Sequence, residues 1–225
     1  MGTLYLVRHG QASFGAEDYD NLSPLGHQQS VRLGQYFAAK GLRFDAAITG
    51  SLRRQKQTYA GIVEGMGSAA TPQVPQVRAG LNEYDSAAVI GAIHPQKLEK
   101  PDTPEMYRHH FRLLRDGLTQ WMNGVISPSG MPSYREWQRG IVDTLDHVRT
   151  LGDGNVLIVS SGGPISTAVG YLLGTTPETT IELNLRIRNS SVTELTYNPK
   201  RHTLVTYNTL PHLDDKAYEG WVTYA

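Results

Sequence analysis

Cysteine is absent from all 225 positions of this chain. That excludes disulfide frameworks, thiolate zinc sites and a cysteine nucleophile, and it fits a reducing compartment. An excess of one charge is also missing: 21 Lys and Arg balance 21 Asp and Glu. Nucleic-acid and anionic-membrane proteins usually carry a basic surplus, and the one basic cluster, Arg53-Arg54-Gln55-Lys56, is short. No run of about eighteen apolar residues, enough for a membrane span, occurs. Neither a basic opening segment with an apolar stretch nor an acylation motif is present, because Leu6 stands where the latter needs Ser or Thr. Internal repeats and low-complexity linkers are missing too. The expectation is one cytoplasmic domain over residues 1–225, with no nucleic-acid and no membrane partner. The sequence sets no oligomeric state.

What is present centres on Leu4-Tyr5-Leu6-Val7-Arg8-His9-Gly10-Gln11. An apolar run suited to a buried strand turns abruptly into a cation, an imidazole and a glycine. In α/β sheets ligands sit at the carboxyl ends of strands, so this tip reads as an anion-handling site built around His9. Gly10 would allow a sharp turn or a close backbone approach.

Further along, Ser23 reads as the N-cap and Pro24 as the first residue of a helix that stops near Gly41. Phe44 to Thr49 reads as a second strand and 52–66 as a second helix, a βαβ rhythm with a parallel sheet. Val74 to Val77 is a short third strand. From about 101 to 152 two helical patterns follow. One runs through Phe111, Leu114, Leu118, Trp121 and Val125, the other through Tyr134, Trp137, Ile141, Leu145 and Val148. They read as a helical insertion or cap, with both tryptophans in its core. Asn155 to Ser160 is a near-continuous apolar strand, as a central parallel strand should be. Residues 191–197 and 203–208 flank an Asn-Pro-Lys-Arg turn as a hairpin. The tail from His212 shows no periodicity. His109 and His110 fall on the insertion, one to solvent and one packed, and His202 falls in the solvated hairpin turn.

A phosphomonoester site needs cations that grip oxygens in pairs, a nucleophile, and a proton source for the leaving alcohol. Arg8 and Arg54 supply the first, His9 the second and Glu83 the third. Histidine attacks through one ring nitrogen when the other is held by an acceptor. Two guanidinium groups and helix-end amides can neutralise the phosphoryl oxygens without a metal. Gln11 and Ser13 lie close enough in sequence to touch the same phosphate.

Arg8-His9-Gly10 after an apolar strand resembles the signature of the histidine phosphatase superfamily, also called phosphoglycerate mutase-like. Leu22-Ser23-Pro24-Leu25-Gly26 is similar to its Leu-Ser/Thr-x-x-Gly helix start. Leu52-Arg53-Arg54-Gln55-Lys56-Gln57-Thr58 is similar to Leu-x-Arg-Ala-x-Gln-Thr, and Leu81-Asn82-Glu83 to the segment with the acid/base glutamate. Val156 to Ile165 resembles the strand-His-Gly-Gly-helix segment, and Arg188 to Val192 a late Asn-Ser strand. The resemblance implies a three-layer α/β/α sandwich with a mostly parallel central sheet and a helical insertion over about 85–153. It also implies a phosphohistidine on His9, phosphoryl binding by Arg8 and Arg54, and proton transfer by Glu83. It implies no metal and no organic cofactor, and a small phosphorylated substrate.

The chain departs from that pattern at Ser161, where the family has a second histidine that donates to the phosphoryl oxygens. A serine hydroxyl is shorter and neutral, and loss of one such donor can cost roughly 10²–10³ in turnover. Ser161 could still bond phosphate, with the Gly162 and Gly163 amides opening the next helix toward it. Gly15 replaces a frequent Asn and Gly50 a frequent Ser. Three readings follow: a phosphatase of small monoesters, an impaired phosphate-ester-binding protein, and a phosphoglycerate mutase.

Overall fold

Gly2–Arg8 forms β1, and its side chains alternate between two cores. The computed structural model describes residues 1–13, 20–67, 70–96, 98–99 and 102–224. The remaining strands are β2 (Ala46–Thr49), β3 (Gln76–Val77), β4 (Asn155–Ser160), β5 (Val192–Asn198) and β6 (Arg201–Thr209). The helices are α1 (Pro24–Ala39), α2 (Arg53–Met66), α3 (Ser86–Gly91), α4 (Pro104–Met122), α5 (Tyr134–Thr150), α6 (Gly162–Leu173) and α7 (Pro177–Leu185). The sheet order is β3-β2-β4-β1-β5-β6. β3, β2, β4 and β1 are mutually parallel, and β5 runs against both β1 and β6.

Period-two alternation decides which layer each face receives. Leu157, Val159 and Val7 pack with Leu33, Phe37 and Ile62 of α1 and α2. Val156, Ile158, Leu4 and Leu6 pack on the other side with Ile141, Leu145 and Val148 of α5 and Ile165 and Ala168 of α6. The result is the expected α/β/α sandwich with a mostly parallel sheet. No helix among the described residues is long and apolar enough to cross a membrane.

The start of α1 follows its sequence. Ser23 caps it by accepting from the Gly26 N–H at 3.0 Å, with Pro24 in the first turn. Gly10 does not adopt a left-handed backbone conformation. A Cβ there would lie 2.4 Å from the Gly26 carbonyl oxygen, so the glycine lets the β1 tip lie against the first turn of α1. Gly26 answers it, since its own Cβ would lie 2.1 Å from the Gln11 carbonyl oxygen.

The helical stretch from 85 to 153 does not behave as one cap. The stripe of α5 joins the main core, whereas Leu114, Leu118 and Trp121 of α4 pack with Val89 and Ile90 of α3 and Ile181 of α7 in a smaller cluster. The short α3, capped by Asp85 and too brief to show a period, was not foreseen. Val125 falls beyond the end of α4 and is exposed, so the first apolar pattern extends one turn too far. Trp121 is buried, and Trp137, partly buried, donates its indole N–H to the Asn82 carbonyl at 3.2 Å. The hairpin forms as read, but His202 lies on β6 against the Tyr197 ring rather than in a solvated turn, and burial lowers its pKa to about 4.

Candidate active site

β1 and β4 pair in parallel with Arg8 opposite Ser160, so their tips deliver His9 and Ser161 side by side. α2 starts just after the neighbouring β2 and brings Arg54 to the same place. Arg8, His9, Arg54, Glu83 and Gly162 line one cavity of about 410 Å³ at the carboxyl end of the parallel strands.

His9 is 3 % exposed and held at both ring nitrogens. Nδ1 lies 2.7 Å from the Gly10 carbonyl, which can only accept, so Nδ1 carries the proton. Arg54 Nε donates to Nε2 at 3.1 Å, so Nε2 presents its lone pair. Burial, and then the Arg8 and Arg54 charges, hold the imidazole pKa well below its ordinary value, against the opposing Gly10 contact. His9 is therefore neutral at pH 7, with the tautomer a nucleophile at Nε2 requires. Its carbonyl accepts from the Ser190 N–H at 3.2 Å and from Asn189 Nδ2 at 3.3 Å, which fixes the backbone beneath the ring.

Arg54 is buried, and its Nη1 donates to Asp20 Oδ1 at 2.7 Å. The other Asp20 oxygen accepts from the Arg53 N–H at 2.8 Å. Asp20 thus caps α2, whose Leu52 cap has no side-chain acceptor, and orients the guanidinium in the same contact. Arg8 donates Nη1 to the carbonyls of Ile187 and Tyr224, at 2.6 Å each.

Glu83 receives the Gly163 N–H, 3.1 Å from both carboxylate oxygens, and the Tyr84 N–H at 3.3 Å. A Cβ on Gly163 would lie 2.1 Å from Glu83 Oε1, so only glycine lets the helix start approach this closely. Burial raises the Glu83 pKa, and the Gly163 N–H, Arg54 and Arg8 work against that rise. A carboxyl poised upward beside two guanidinium groups is suited to giving and taking a proton.

Three residues expected to contact phosphate are not among the described lining residues of this cavity. Ser161 is fully buried, and its hydroxyl accepts from Gln55 Nε2 at 2.8 Å, so this hydroxyl is bonded into the core and is not on the cavity wall. Gln11 accepts from the Ser23 hydroxyl at 2.7 Å and donates its N–H to Gln29, bracing the β1 tip on α1. Ser13 donates its N–H to the Asn21 carbonyl at 2.8 Å beside the Ala12–Leu22 bridge. The Gly163 amide is likewise used by Glu83. Gly15, the place of the frequent Asn, lies outside the described residues.

Several contributors were missed. Asp20 sat unmarked in a loop rich in Gly, Asp and Asn. Tyr224, in a tail without periodicity, gives its carbonyl to Arg8. Gln55 stands where the resembling pattern has Ala, and it is completely buried. Its Nε2 also donates to the Leu81 carbonyl at 3.0 Å, and that carbonyl accepts from the Ser160 hydroxyl at 2.7 Å. Gln55 therefore joins α2, the segment leading to Glu83 and the tip of β4.

Residues 4–210 match the profile of the Histidine phosphatase superfamily (branch 1). The chain belongs to this superfamily. A 2,3-bisphosphoglycerate-dependent phosphoglycerate mutase from Mesorhizobium japonicum is 28% identical over 81% of this chain and 87% of its own length. A phosphoserine phosphatase from Entamoeba histolytica superposes with a TM-score of 0.65 at 20% identity, covering 95% of this chain and 100% of its own. A mycobacterial glucosyl-3-phosphoglycerate phosphatase does so with 0.64 at 20% identity, over 93% and 99%. The superfamily thus supports an enzyme of the phosphatase and mutase class.

His212 backs this superfamily site from behind. It is buried, with Nε2 2.9 Å from the hydroxyl of Ser190, whose N–H supports the His9 carbonyl. Burial, and then the Arg32 charge, lower its pKa to about 3. Unfolded, the same histidine takes up a proton near pH 6.5, whereas folded it does so only near 3. Its contribution is complete above 6.5 and is lost as pH falls from 6.5 toward 3, at about 1.4 kcal/mol per unit. His202 and His9 have the same sign, and Glu83, raised, the opposite one. Urea unfolding should show lower stability at pH 5 than at pH 7. His212→Gln should flatten that difference, and an unchanged slope would remove His212 as its source.

Proposed function

We propose that this protein hydrolyses small phosphomonoesters without a metal, through a phosphohistidine on His9. The observation that carries the reading is the ring of His9: Nδ1 bonded to the Gly10 carbonyl and Nε2 presented beside Arg54 in a cavity that Arg8 and Glu83 share. In the first half-reaction Nε2 attacks phosphorus and the bond to the alcohol oxygen breaks. Arg54 Nε transfers its hydrogen bond from the ring to a phosphoryl oxygen, and protonated Glu83 gives its proton to the leaving oxygen. In the second, water attacks phosphorus, Glu83 takes its proton, and the phosphorus–nitrogen bond breaks to return neutral His9.

Release of inorganic phosphate from generic monoesters by the purified protein is the direct test. Glu83→Gln should slow alkyl ester hydrolysis by roughly 10²–10⁴. An aryl ester should lose far less, because its leaving oxygen needs little help. The wild-type rate should persist on the acid side of pH 6.5, since His9 is depressed, and fall as Glu83 deprotonates. That alkaline limb should vanish in Glu83→Gln; equal losses on both ester types would remove Glu83 as the acid. The commitment of Ser161 to Gln55 favours a second reading, phosphate-ester binding without turnover. Tight ester binding with no phosphate released would select it.

A further inference from the structure

Beyond the phosphoryl end, the cavity changes character. Besides the phosphoryl-binding groups, its described lining includes Leu52, Phe111, Leu114, Leu185, Tyr84 and Tyr224. Phe111 is 43 % exposed, one turn before Leu114, which is buried in the small helical cluster. The Tyr84 side of the wall is built rather than loose. Asn184 Nδ2 donates to the Tyr84 hydroxyl at 2.8 Å, and the Tyr84 ring packs against Trp121 and Trp137 with centroids 6.0 and 5.9 Å away. Such a surface offers a ring or alkyl group a dry, preformed contact.

The charges point the same way. Among the described lining residues the cations are Arg8 and Arg54, and the phosphoryl group requires both. The remaining acidic group besides Glu83 is Asp85, exposed at the mouth, where its Oδ1 caps α3 through the Ala87 and Ala88 N–H groups. A second anionic group on the substrate, a carboxylate or another phosphate, would meet apolar side chains, a like charge and the neutral Ser86 and Asn184, the latter already donating its Nδ2 to Tyr84. An unpaired charge placed there loses hydration without compensation.

From this division, and resting on the phosphate-site reading above, we infer that the substrate is the monophosphate ester of an uncharged, largely apolar alcohol. Arylalkyl phosphates are of this class and phosphoglycerates are not. Phe111, Leu114 and Leu185 hold the alcohol portion, and Asp85 disfavours acidic ones.

The test compares 2-phenylethyl phosphate with 3-phosphoglycerate, both esters of primary alcohols, by calorimetric binding to the His9→Ala protein and by kcat/KM on the wild type. Burial of the phenyl group should make the first bind at least about tenfold more tightly. Phe111→Arg, a change at an exposed side chain, should narrow or invert that ratio by giving the carboxylate a partner and removing the ring contact. Equal or tighter binding of 3-phosphoglycerate overturns the inference. Phosphate release from many esters, with 3-phosphoglycerate the best of them, overturns it while leaving the phosphatase reading intact. Binding of neither ester overturns both.

Discussion

His9→Ala should abolish phosphate release, with a loss on the order of 10⁴-fold or more, the scale seen when a nucleophile is removed from a set of residues that act as a unit. The structure predicts that binding survives better than turnover. Arg8 is anchored by the carbonyls of Ile187 and Tyr224, and Arg54 by Asp20, neither through His9. Removal of the imidazole takes away the acceptor of Arg54 Nε, which can then donate to a phosphate oxygen. Titration with a phosphate ester should show retained affinity. A rapid-quench label that is lost in acid and stable in base should form on the wild type and not on the variant. Turnover that persists in a folded His9→Ala protein would exclude His9 as the nucleophile.

Ser161→His alone should not raise activity, and it should lower stability by about 1–3 kcal/mol, the usual cost of overpacking. The place an imidazole would need is filled by the Gln55 amide, bonded at 2.8 Å to the Ser161 hydroxyl. The same amide explains Gly50, where a Cβ would lie 2.0 Å from Gln55 Oε1. Gly50, Gln55 and Ser161 are therefore one packing unit, and each of the three differs from the resembling pattern. Gln55→Ala with Ser161→His should accommodate the ring and restore a charged donor to the phosphoryl group. The expected gain is roughly 10²–10³ in kcat over the wild type. Strong non-additivity between the two changes, in melting temperature and in kcat, is the expected sign of contact. A gain from Ser161→His alone equal to that of the pair would show the three positions to be independent.

Much of the molecule was legible because its determinants are local. Ser23 and Pro24 start α1 through a cap and a ring constraint that involve only near neighbours. The Asn-Pro-Lys-Arg turn closes the β5–β6 hairpin for the same reason, and the apolar runs of β1 and β4 mark buried parallel strands. The family assignment and the sandwich with a mostly parallel sheet followed from such segments taken in order. The failures have a common cause. α3 is too short to carry a period, and the stripe of α5 looks identical whether it faces a cap or the main sheet. His202 and Val125 were misplaced because exposure depends on what packs opposite them.

The sequence alone determined that Arg8 and His9 end a buried strand, that Arg54 opens the second helix, and that a serine stands where a histidine is usual. Those are matters of residue type and spacing. Only the tertiary structure decided what they do together, because it depends on partners far apart in the chain. Gly10 and Arg54 hold the two ring nitrogens of His9, and the tail carbonyl of Tyr224 anchors Arg8. Gly163 approaches Glu83 closely enough to bond both its oxygens. Gln55, 106 residues from Ser161, takes up the hydroxyl that was expected to face the phosphate. Hydrogen bonds of this range leave no periodicity to read.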